Sequence, residues 1–253
     1  MATIAALLCW APGQAAAQPP RDGAGASVPA PPPSDFMLGQ PRVFVTFDSG
    51  FLFANTGSDL YDFITDQLTL ERSSFNTPVL GGRLGVSLTP HVDVMVGIDA
   101  ARSTTESEYR NFVDNQLLPI NQTTKRSEFG LFGSVRVSLL PTGRRISRFA
   151  WIPRTFTPYV GVGAGAVKYE FQQYGSFVDF ATSRVFNDTF RSEGWAPSAH
   201  VFAGSDLRVY RRLYLSIEGR YTFAKATLGA DFVDFDPIDL AGFRMGGGLR
   251  VVF

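Results

Sequence analysis

The sequence predicts an all-β chain, an eight-stranded antiparallel transmembrane up-and-down β-barrel, and three observations predict it. Apolar and polar residues alternate with a period of two in eight stretches between Arg42 and Phe253, which is the pattern of strands with two unlike faces. The connections between these stretches alternate in length, each long one followed by a shorter one, as in barrels with long loops at one end and short turns at the other. Beyond the first 17 residues nothing approaches the roughly 18 consecutive apolar residues that a spanning helix requires, so any membrane crossing is made by strands.

The chain divides into three parts in order. Residues 1–17 hold an apolar run from Ile4 to Trp10 and then Ala15-Ala16-Ala17, the layout of a cleaved export signal. Removal after Ala17 would take the single Cys9 with it and leave no disulfide framework. Residues 18–40 are rich in Pro, Ala and Gly, with Pro31-Pro32-Pro33, and have too little bulky apolar content to fold alone, so they read as a linker. Residues 41–253 form the barrel.

Within it the strands are expected at Arg42–Ala54, Thr77–Leu88, from Val92 to about Ala101, Lys125–Leu140, Thr157–Phe171, from His200 to Val209, Leu213–Phe223 and Phe243–Phe253. The seventh shows the alternation best. Leu213, Leu215, Ile217, Tyr221 and Phe223 share one face, and Ser216, Glu218, Arg220 and Thr222 the other. A helix would scatter both sets around its surface. The third sets Val92, Val94, Val96 and Ile98 against Asp93, Met95 and Asp99 in the same way. Each stretch meets the 9 to 11 residues that a tilted strand needs to cross a bilayer. Long connections are expected at Asn55–Asn76, Ser103–Thr124, Gln172–Glu193 and Leu228–Asp236.

Composition removes several classes of function. Lys plus Arg and Asp plus Glu stand at 23 each, so no basic footprint points to nucleic acid. The only histidines are His91 and His200, and no Ser/His/acid spacing surrounds either, which argues against an enzyme. Asp231, Asp234, Asp236 and Asp239 lack the glycine and closing glutamate of a calcium loop and read as a solvated loop. Gly161, Gly163 and Gly165 alternate at strand period and open no helix, so they form no dinucleotide fingerprint and no cofactor is expected. On one face of a strand they allow curvature or close packing.

Four stretches carry a family resemblance. Thr157-Pro158-Tyr159-Val160-Gly161-Val162-Gly163-Ala164-Gly165 resembles the fifth strand of eight-stranded porin-family and opacity-type surface proteins, and Ala203–Arg208 with Leu213–Tyr221 is similar to their sixth and seventh. The last stretch, with apolar Phe243, Leu249, Val251 and terminal Phe253 at alternate positions, looks like the assembly signal of bacterial outer-membrane barrels. The resemblance covers about Arg42 to Phe253. It implies a bacterial outer-membrane location, contact with membrane lipid and lipopolysaccharide, and insertion by the barrel-assembly machinery. Phe47, Phe53, Tyr159, Tyr169 and Phe243 are expected on the lipid face near the interfaces.

What faces inward then decides the activity. Arg83, Arg136, Lys168, Arg208, Arg220, Arg244 and Arg250 are expected in the lumen, with Asp48, Asp93, Asp99, Glu128, Glu170, Asp206 and Glu218. An eight-stranded interior is just wide enough for side chains to fill, so these charges should pair across it and plug it. Glu218 with Arg220 and Asp206 with Arg208 are the expected pairs, alongside Arg244 and Arg250. The reading is a structural or surface-interaction barrel that meets a ligand through its loops. The alternative is a narrow porin-like channel for small or apolar solutes. Tyr174, Phe177, Phe180, Phe186 and Phe190 in the Gln172–Glu193 connection are candidate contact residues or continuations of the strands.

Overall fold

The computed structural model describes residues 36–182 and 184–253. The expected export signal and most of the linker lie outside the described residues. Eight strands form the barrel: β1 (Val43–Ala54), β2 (Thr77–Ser87), β3 (Val92–Val113), β4 (Pro119–Ser138), β5 (Phe156–Asp179), β6 (Arg184–Tyr210), β7 (Leu213–Ala226) and β8 (Gly242–Val252). Each pairs antiparallel with its neighbours in sequence, and β8 returns to β1 through Val252↔Phe44 to Gly242↔Ala54, so the ring is closed. Within the ring, closure leaves no strand edge unpaired, the condition for β-structure in lipid.

The register across β3, β4, β5 and β6 displays the outer surface row by row. Val92–Val137–Val160–Ala203 and Val94–Val135–Val162–Val201 are two such rows, and the apolar rows continue through Ile98–Leu131–Ala166–Pro197. The row Ala100–Phe129–Lys168–Trp195 carries the first charge, and Arg102–Ser127–Glu170–Glu193 above it is polar throughout. From Val92 to Ala100 is eight residue steps, about 27 Å of strand at ~3.4 Å per residue, which strand tilt brings near the ~25 Å apolar band of a membrane barrel. Phe51, Phe53, Phe129, Trp195, Phe223 and Phe243 stand exposed toward the long-hairpin end of this band, where amphipathic rings suit the interface.

This belt corrects the expected faces of β5. Tyr159 and Tyr169 point inward and are each 2% exposed, whereas Lys168 faces outward and Glu170 shares its side of the strand. The assignment of charge to the lumen fails there because β5 outruns the membrane, and above the belt the outer face meets water. Tyr159 instead gives its hydroxyl hydrogen to Glu218 Oε2 at 3.1 Å, and Tyr169 gives its own to the Thr227 carbonyl at 2.7 Å.

Two of the four expected long loops are hairpins that extend the strands. β3 and β4 continue beyond Ser103 and Lys125 to a tip at 114–118, and β5 and β6 pair from Phe171↔Ser192 up to Asp179↔Arg184. The 55–76 connection holds a helix, α1 (Asp59–Gln67), and a short 3-10 turn at Arg72–Phe75. Asp59 and Asp62 sit favourably in the first turn of α1, and Leu60, Tyr61 and Ile64 are turned into the barrel. At the short-turn end, Gly143–Ser147 and Ala150–Pro153 form a hairpin joined by Met37–Leu38. That last pair falls in the stretch read as linker, and Met37 packs beneath Phe44, Tyr214 and Val252.

Candidate functional site

The inward side chains of β1 to β8 assemble two ionic clusters. Nearer the short-turn end, Arg136 and Arg250 share Asp93 and Asp206. Arg136 donates to Asp93 Oδ2 at 3.0 Å and to Asp206 Oδ2 at 2.8 Å, and Arg250 reaches the same two oxygens at 3.0 and 2.9 Å. Ser216 donates to the free Asp206 oxygen at 2.6 Å. The rings of Tyr159 and Phe44 lie under the two guanidinium groups at 4.4 and 3.7 Å, so the cations are covered by π-faces.

The second cluster fills the middle. Arg83 forks onto Asp48 at 2.8 and 2.5 Å and reaches Glu218 at 2.5 Å. Glu218 also accepts from Arg220 at 2.9 Å. Arg220 lies 3.6 Å from Asp99, which pairs with Arg244, which in turn lies 3.7 Å from Glu128. Arg126 closes the series as an ion pair with Glu128 that lacks hydrogen-bond geometry. Together the clusters hold six arginines and six carboxylates, and their charges cancel. A cavity of about 60 Å³ remains, lined by Arg83, Asp99, Glu218 and Arg244 and by the wall residues Leu80, Ile98 and Met245, room for a few waters at most.

Most of the expected lumen set is thereby brought together: Arg83, Asp93, Asp99, Arg136, Asp206, Glu218, Arg220, Arg244 and Arg250. The Glu218–Arg220 pair forms as expected. Asp206 is instead held by Arg136 and Arg250, while Arg208 is half-buried near the rim and its amide donates to the Thr155 carbonyl at 2.7 Å. Arg244 and Arg250 belong to different clusters. Glu170 binds Lys125 at 3.5 Å and Arg191 at 3.4 Å outside the lumen. Phe243, Leu249 and Phe253 are exposed, and Val251 shares their alternation.

Sequence reading missed Arg126, although it lies within the expected strand Lys125–Leu140 and on the same face as Glu128 and Arg136. It also missed the contact between Ser134 and His200, whose Oγ and Nε2 lie 2.9 Å apart. Both are buried, and Phe132 and Phe202 pack against the imidazole at 5.1 and 5.9 Å. The His91 Nδ1–H donates to the Ser138 carbonyl, 2.9 Å away, in its short turn.

Both ends of the lumen are covered. Above Arg126, Tyr61 of α1 is fully buried and its ring receives the guanidinium at 5.7 Å. Burial pushes the Tyr61 phenol up to about 12, so it stays neutral. Around it pack Leu60, Ile64, Leu68, Phe75 and Phe171. The helix was legible in principle, since Leu60, Tyr61, Ile64 and Leu68 follow helical spacing behind Ser58-Asp59.

Outside this seal, the long-hairpin end carries a cluster of aromatic rings. Phe177, Phe180, Phe186 and Phe190 come from the β5–β6 hairpin, Tyr109 from β3, Phe63 from α1, and Phe232 and Phe235 from the β7–β8 connection. Phe177, Phe186 and Phe190 therefore lie on strand extensions, and Phe180 in the turn between them. Burial raises the Tyr109 phenol, and at the hairpin tip the Thr182 hydroxyl holds the Asp179 carboxyl below its ordinary value. Of the four aspartates in the β7–β8 connection, Asp231, Asp234 and Asp236 are exposed. Asp239 is buried, accepting from the Asn55 amide and the Ala241 N–H at 2.8 Å each, so it is structural and not solvated.

Together these features define a closed eight-stranded membrane barrel with an ionic lumen. No family model matches the chain, and no curated protein matches it. Solved structures that resemble it include small outer-membrane barrels. Neisserial surface protein A is 10% identical, covering 83% of this chain and 97% of that one, with a TM-score of 0.48. The outer membrane protein OprG of Pseudomonas aeruginosa is also 10% identical, covering 85% and 98%, with a TM-score of 0.43. The attachment invasion locus protein of Yersinia pestis is 12% identical, covering 84% and 99%, with a TM-score of 0.41. At these scores the fold rests on the strand register itself.

Proposed function

We propose that this chain is a bacterial outer-membrane barrel that serves as a non-conducting scaffold and acts through its long-hairpin end. The observation that carries the reading is the lumen, in which six arginines and six carboxylates pair across the whole section between two packed ends. Moving an ion along this path would separate buried ion pairs in a low-dielectric interior, where breaking one is strongly unfavourable. A narrow channel for small or apolar solutes would have to cross both clusters. The outer face supports the membrane setting: rows of Val, Leu, Ile and Phe around the ring would be a large apolar patch in water, far beyond what soluble proteins expose.

Purified barrel in planar bilayers tests the scaffold reading, with the boiled and unboiled gel mobilities confirming that the protein added is folded. Folded protein is expected to shift in mobility on boiling and to give no discrete conductance steps. Steady, reproducible steps from the folded form would overturn it.

A further inference from the structure

The aromatic cluster at the long-hairpin end encloses a cavity of about 230 Å³. A chain of edge-on and tilted rings runs round it, from Phe180 to Phe63 at 6.3 Å, Phe63 to Phe235 at 5.5 Å, Phe235 to Phe232 at 6.4 Å, Phe232 to Phe190 at 6.3 Å and Phe190 to Phe177 at 4.7 Å. These rings come from three separate segments of chain, yet they meet around open space instead of collapsing into it. Phe63 and Phe180 remain 43% and 53% exposed at its mouth.

One polar group in the wall is unsatisfied. Gln122 of β4 lines the cavity, is 4% exposed, and its side-chain Oε1 has no hydrogen-bond partner. A buried acceptor left alone is disfavoured, and such a group calls for a donor. Gly175, at φ +131°, pairs with Gln122 in the register and leaves no room for a Cβ beside it, so the backbone fixes this position.

We propose that the cavity binds a small, neutral aromatic molecule carrying one hydrogen-bond donor, of the phenol or naphthol class. Size supports this, since an apolar cavity of roughly 150 Å³ already holds benzene. Shape supports it too, because surrounding rings favour a flat partner in edge-to-face or offset contact. Charge sets neutrality: the polar wall residues are Gln67, Tyr109, Gln122, Gln173 and Asp231, with no cation to meet an anionic ligand, and the Tyr109 phenol lies beside the Gln122 amide. The inference deepens the scaffold reading and rests on it for the site's access from the long-hairpin end alone.

The test is calorimetric titration of 2-naphthol and of naphthalene into the full barrel in lipid nanodiscs, with empty nanodiscs subtracted. Saturable binding of 2-naphthol is expected, tighter than that of naphthalene. Gln122→Leu should weaken 2-naphthol about fivefold, as loss of one hydrogen bond does, and leave naphthalene unchanged. Phe180→Ala, at an exposed ring, should weaken both ligands, with heat-modifiable mobility showing that each variant is folded. Binding no greater than to empty nanodiscs, or equal in all three proteins, would overturn the site. Because conductance is measured separately, silent bilayers without binding would remove the site and keep the scaffold, and binding with conductance the reverse.

Discussion

At the scale of single residues, the arginines of the lumen are held by shared carboxylates, and sharing makes each carboxylate matter more than its own pair suggests. Asp206 accepts from Arg136 at 2.8 Å, Arg250 at 2.9 Å and Ser216 at 2.6 Å. Asp206→Ala would leave both guanidinium groups leaning on Asp93 alone, with a net positive charge in a buried site. Stripping one partner from a buried ionic group costs about 3 to 5 kcal/mol. Urea unfolding of the barrel in lipid vesicles is therefore expected to shift strongly toward lower denaturant for Asp206→Ala. The double variant Asp206→Ala with Arg250→Met should recover part of the loss by restoring neutrality. A change in the single variant below about 1 kcal/mol, the ordinary size of a point substitution, would show that water inside the lumen replaces the carboxylate.

At the scale of elements, strand faces were legible wherever the membrane imposes one rule along the whole strand. β3, β7 and β8 within the belt have apolar residues outside and charged ones inside, and their alternation reads directly into the structure. β5 was misread because the rule inverts within one strand. Its lower outward residues Val160 and Val162 meet lipid, while Lys168 and Glu170 on the same side stand at and above the interface. A long flexible Lys reaches water from there without leaving the strand. The inward glycines of β5 supply what the sequence hinted at, close packing. A Cβ on Gly161 would strike the Phe202 ring, one on Gly163 the His200 imidazole and Ser134 hydroxyl, and one on Gly165 the backbone of Leu131 and Phe132. The glycine face thus admits the rings that fill the lumen from β4 and β6. Gly163→Val forces backbone and imidazole apart, an overpacking of about 1 to 3 kcal/mol or more. The expected result is a lower temperature for loss of the compact gel band, and an unchanged temperature would show that the ring can swing aside.

At the scale of the whole molecule, the sequence foretold the ring and the number of strands, but not its two covers or the aromatic cavity. Those depend on contacts between residues far apart in the chain: Tyr61 with Phe171, Phe63 with Phe180, Met37 with Tyr214. No local period encodes them. They also make the ends of the barrel unlike, one built of short turns and a small sheet, the other of tall hairpins and α1. The scaffold reading needs the tall end to face outside the cell, where a ligand can reach it. That orientation can be read with a thiol-reactive dye that does not cross membranes, in a Cys9→Ser background that leaves the chain free of other cysteines. Asn115→Cys, in the β3–β4 tip, should label on intact cells. Thr89→Cys, in the short turn after β2, should label only after the envelope is permeabilised, because the membrane belt lies between the two positions. Labelling of Thr89→Cys alone on intact cells would place the hairpins on the inner side, and with them the aromatic cavity. The ionic plug would then stand, but the proposed action at the cell surface would not.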